Sequence, residues 1–105
     1  MFGRYARPVT DFATAIERLL TRVRHWEQPR WKRHSDPAYK MVQLIADLGA
    51  DAEARPRRPV PREHDMILPD QIRVVADDLL AADPPPSVLA EATAAVDRLR
   101  ATLGE

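Results

Sequence analysis

The sequence predicts an all-α fold, a small four-helix bundle, and three observations carry that prediction. Apolar residues recur at steps of four and three in four separate stretches, which is the helical period. None of those stretches is apolar all round, so each has one stripe to bury and one face to leave in water. Proline, aspartate and glycine fall between the stretches, where helices start and stop. The expected helices span about residues 10–27, 37–48, 69–82 and 87–103, with an extended crossover at 50–68, all within one domain covering 1–105. Residues 1–8 precede the first stripe and are read as a flexible lead-in.

The first helix rests on Phe12, Ile16, Leu19, Val23 and Trp26, with Thr10 or Asp11 as N-cap. Pro29 is expected to end it, because proline lacks a donor and restricts Gln28 before it. The second is expected to begin at Asp36-Pro37, a capping residue followed by a proline suited to a first turn. Ala38, Met41, Val42, Ile45 and Leu48 form its stripe, and Gly49 is its expected left-handed stop.

The third helix begins near Pro69, with Asp70 placed well for the helix dipole, and carries Leu68, Ile72, Val75, Leu79 and Ala82. The prolines of DPPPS, residues 83–87, stop it. The fourth, from Pro86 or Ser87, carries Leu89, Ala92, Val96, Leu99 and Leu103, with Gly104 as C-cap. The short link between these two predicts an antiparallel hairpin. The segment 50–68, DAEARPRRPVPREHDMIL from Asp51 on, is too long for an ordinary bundle loop and too rich in proline for a helix. It either wraps the bundle or lets one hairpin swap onto a neighbouring chain.

Composition narrows the chemistry. The 105 residues contain no cysteine, which excludes disulfides, thiolate metal sites and cysteine nucleophiles. No apolar run reaches membrane-spanning length, and MFGRYARPVTDF does not read as a signal peptide. The expectation is a cytoplasmic protein. There are 14 arginines to 2 lysines, with 16 alanines and no asparagine, a bias typical of G+C-rich coding sequence. That bias weakens arginine abundance as a sign of a phosphate partner, and so does the zero net charge. The charge is segregated, however: residues 1–34 sum to +5, 35–66 to −1 and 67–105 to −4.

No arrangement of catalytic or metal-ligating residues emerges. His25, His34 and His64 lack the spacing that places two ligands on one helical face. His34, Ser35 and Asp36 are adjacent, which a nucleophilic relay cannot use. Glycines stand only at positions 3, 49 and 104, so no phosphate-cradling loop exists. No catalytic, cofactor or metal residue is therefore assigned, and the chain is not expected to be an enzyme.

Two functions remain. The first is a small non-catalytic interaction or regulatory protein that acts through helix-mediated protein contacts and homodimerises, since four short helices bury little alone. The second is a nucleic-acid-binding accessory protein using the basic segment 18–34. Its contacts would be Arg18, Arg22, Arg24, Arg30, Lys32 and Arg33 on phosphates, with Trp31 stacking on bases. Arg18, Arg22 and His25 share one face of the first helix, away from its stripe. The separation between the first two helices is too long for a helix-turn-helix.

Overall fold

The sharpest boundary lies at the first corner, where two tryptophans bracket a proline. In the computed structural model, which describes residues 3–104, α1 runs Gly3–Val23 and α2 runs Gln28–Ala52. A short 3-10 turn, Asp65–Ile67, leads into α3, Leu68–Ala81, and α4 follows at Pro86–Thr102. The described residues contain no strand, so the fold is the all-α, four-helix arrangement expected.

Several ends differ from expectation, each for a local reason. Residues 3–8, read as flexible, belong to α1, while residues 1 and 2 lie outside the described residues. Thr10 and Asp11 therefore sit inside α1 and do not cap it. Pro29 does not end α1 but starts α2: Glu27 is extended (φ −97°, ψ 171°) and the proline occupies the first turn, where a missing donor is harmless. Asp36 and Pro37 lie inside α2, where Pro37 removes the donor to the Arg33 carbonyl. The stripe of α2 outweighs that loss, since it continues back through Ser35 to Trp31 at the same spacing.

Gly49 is likewise inside α2, buried against α3. The helix stops instead at Ala54, which takes the left-handed conformation (φ 55°) while the Arg55 amide donates to the Ala50 carbonyl at 2.8 Å. At the end of α4, Gly104 does adopt the expected positive φ, at 85°. Ser87 is within the first turn of α4 and makes no capping bond.

The crossover determines the topology. Gln28 approaches Asp65 at 3.5 Å, and a methyl built on Gly49 would lie 3.9 Å from the Leu79 Cα. α2 and α3 therefore run in the same sense, and residues 53–64 return the chain along α2 between them. Tyr39 and Gln43, one turn apart on α2, hold that return. The Tyr39 hydroxyl donates to the Pro61 carbonyl (2.8 Å) and accepts from the Glu63 amide (2.7 Å). Gln43 accepts from the Val60 amide (2.8 Å) and donates to the Arg58 carbonyl (3.0 Å). Arg62 reaches Ser35 and Asp36, its guanidinium 4.6 Å from the Tyr39 ring centre. The crossover thus wraps its own bundle. Of Met66, Ile67 and Leu68, only Leu68 is fully buried.

α1 packs on α4 and, less, on α3; α2 packs on α3 and, less, on α4. Among the described residues, no Cα of α3 lies within 8 Å of one in α4, and the same holds for α1 and α2. The α3–α4 hairpin expected from the short link is therefore not a packed pair: the two helices occupy opposite corners, each covered by α1 and α2. Their stripes meet in one core that includes Phe12, Ile16, Leu19, Ile45, Leu68, Ile72, Leu79 and Val96, all under 2% exposed. Each such side chain contributes about 1.5–3 kcal/mol of burial.

Candidate anion-binding cleft

The predicted contact residues divide between surface and core. Trp31 is the largest fully buried side chain, at 2% exposure, and so is not available to stack on a base. It meets Trp26 edge-on, ring centres 5.0 Å apart, and Trp26 is itself 5% exposed. The indoles hold the α1–α2 corner together, an arrangement aromatic quadrupoles favour. His34 tilts against Trp26 at 5.2 Å.

The cations stay outside. Arg18, Arg24, Arg30, Lys32 and Arg33 are exposed, and among the described residues none has a carboxylate within 4.0 Å. Arginines elsewhere are used differently: Arg57 is tied to Asp51, Arg62 to Asp36 and Arg73 to Glu17. Arg30 lies over the Trp26 ring at 4.7 Å, which positions its guanidinium.

Two clefts gather these groups. One, of about 470 Å³, is lined by Arg22, His25, Trp26, Glu27, Pro29, Arg30 and Arg33. The other, of about 510 Å³, is lined by Ala13, Thr14, Glu17, Arg18, Thr21, Arg22 and Arg100. Arg22 belongs to both, so they form one cationic trough along α1 and around the corner. Half-buried Arg22 also donates to the Leu103 carbonyl at 3.3 Å, where a cation suits the C-terminal end of α4. The amino-terminal end of α2 faces the same trough and adds partial positive charge.

Arg24 and Lys32 are exposed but line neither cleft. Arg100, which the sequence reading did not include, enters from α4 and is held by Asp97 at 3.7 Å. Its position depends on α1 and α4 packing side by side, which no local spacing reveals. His25 lies beyond the end of α1, yet keeps its place in the trough. His64 accepts from the Met66 amide at 3.1 Å and shapes the 3-10 turn. No group of three or more metal-ligating side chains forms among the described residues. No described helix is long and apolar enough to cross a membrane.

No family model, curated protein or solved structure matches this chain. The chemistry of the trough therefore rests on its own residues. It offers guanidinium groups and one imidazole against two carboxylates, Glu17 and Glu27. Planar guanidinium groups suit bidentate contacts to phosphate oxygens.

Proposed function

We propose that the chain is a non-catalytic binding protein whose working surface is the cationic trough, and that its ligand is the sugar–phosphate backbone of a nucleic acid. One observation carries the reading. Among the described residues, Arg18, Arg24, Arg30 and Arg33 have no ion pair and lie on or near the α1–α2 corner, whereas the arginines of the crossover are mostly tied down. Burial of Trp31 changes the mode expected from the sequence: contacts go to phosphates and not to stacked bases. Binding should then be indifferent to base sequence and steep in salt.

Fluorescence anisotropy with a labelled duplex of mixed sequence tests this. About five phosphate contacts give a slope of roughly −4 to −5 in log affinity against log salt. Replacing Arg30 and Arg33 together with Ala should flatten the slope by about two and leave the helical circular dichroism unchanged. No binding at about 50 mM salt with tens of micromolar protein would remove the reading.

The homodimer reading keeps one supporting observation, an exposed apolar strip on α3, and its charge pattern decides what can cover it.

A further inference from the structure

On α3 and the crossover lies a shallow hollow of about 310 Å³ whose wall is almost wholly apolar, formed by Val60, Ile67, Val74 and Val75 with Asp70 at its edge. Val74 is 56% exposed and Met66, beside Ile67, is 44% exposed. They are two of the three large apolar side chains left exposed among the described residues, the third being Val9. Val75 is shared with a second hollow that Asp78 and Arg58 border. The two hollows therefore form one groove along α3.

Asp70, Val74 and Asp78 follow each other at four-residue steps, the ridge by which helices interlock. Each aspartate stands about 6 Å along the axis from Val74. All three are exposed, and neither Asp70 nor Asp78 has an ion pair among the described residues. Arg73 does not serve them, being held by Glu17 at 2.7 Å and by Asp77 at 3.9 Å.

This pattern discriminates between occupants. A second copy packing antiparallel about Val74 would set Asp70 against Asp78 of the other copy at both ends, like charge facing like charge. An incoming helix with cation, apolar residue and cation at i, i+4 and i+8 would meet carboxylate, valine and carboxylate. We infer that α3 is a docking ridge for a cationic amphipathic helix of another protein, distinct from the trough and opposite to it in charge.

Two 15-residue helical peptides, alike except that arginine flanks the central leucine in one and glutamate in the other, are the probes. They are titrated into the isotope-labelled chain while the Ile67–Asp78 amides are followed by NMR. The arginine peptide should shift those amides and bind about tenfold tighter than its twin. Val74→Glu should abolish the shifts, with circular dichroism confirming the fold. Equal binding of both peptides, or no shift on α3 with either, would overturn the inference. Light scattering supplies the second arm. Asp70→Arg places opposite charges across the self-contact and should make the variant dimerise where the parent does not. A parent dimer dissolved by Val74→Glu would put a second copy on the ridge and overturn the inference as well.

Discussion

The hydroxyl of Tyr39 donates to the carbonyl of Pro61 at 2.8 Å and, in the same place, accepts the Glu63 amide. One side chain thus serves an acceptor and a donor of a segment that has no strand or helix to serve them. Tyr39→Phe keeps the ring beneath Arg62 and removes only the hydroxyl. The expected loss is about 1 kcal/mol, because the Glu63 amide loses its partner while the Pro61 carbonyl still accepts from Gln71 Nε2 at 3.0 Å. Urea denaturation gives the total. Faster hydrogen exchange at Glu63, with the core amides unchanged, would show that the loss is local.

Trp31 separates the sequence reading from the structural one. As an exposed stacking residue it could be replaced without effect on stability. As the largest buried side chain, its replacement by alanine should cost about 3–5 kcal/mol. Chemical denaturation decides between the two, and an unchanged midpoint would refute the packing described for the corner.

Gly49 and Ala54 are each placed where the other would be favoured. Gly49 is inside α2, and a methyl there makes ordinary contact with Leu79. Gly49→Ala should therefore stabilise by about 0.5–1 kcal/mol. Ala54 holds φ 55°, which costs an L-residue about 1 kcal/mol, so Ala54→Gly should stabilise by a similar amount. The sites are distinct, and the double variant should show the sum in thermal denaturation.

The Asp51 carboxylate accepts two bonds from Arg57, at 3.0 and 2.7 Å, and these hold its pKa below the usual carboxylate range. A depressed carboxylate adds stability above its unfolded pKa and loses it as pH falls through the folded one. The contribution is thus complete at neutral pH, begins to fall below about pH 4 and is gone only once the pH has passed below the lowered folded value. Both groups are exposed, so the effect is small and salt-sensitive. Asp51→Asn should lower the melting temperature slightly at pH 7 and leave it unchanged near pH 2.

Glu27 lies in the trough among Arg22, Arg30 and Arg33, where on the proposed function it would repel an incoming phosphate. Glu27→Gln should tighten nucleic-acid binding several-fold at low salt and lose that advantage as salt rises. Weaker binding of this variant would mean that Glu27 organises the arginines and does not oppose the ligand.

Much of this architecture is legible in the residues. The stripes of α3 and α4 place Leu68, Ile72, Leu89, Val96 and Leu103 in the core as expected. Asp36-Pro37 misleads because a cap signal is local, while the stripe it interrupts runs back to Trp31. Read as part of that stripe, Trp31 and Ser35 would have moved the start of α2 to Pro29. Arg18, Arg22, Arg30 and Arg33 were recognisable as a cationic group, but Arg100 was not, since it joins them only through helix packing. The missing α3–α4 contact had no local signal at all.

That diagonal placement has a kinetic side. Of the three pairs of consecutive helices only α2 and α3 pack together, so the unit able to form first is α2, the crossover and α3. Adding α1, which packs on α4 and α3, must close loops of tens of residues, which slows folding relative to an up-and-down bundle of equal length. It also ties the parts together: opening α4 strips cover from α1 and α2 at once. Amides in all four helices should therefore exchange through one common opening event, and a cut within residues 53–64 should leave neither fragment able to fold alone.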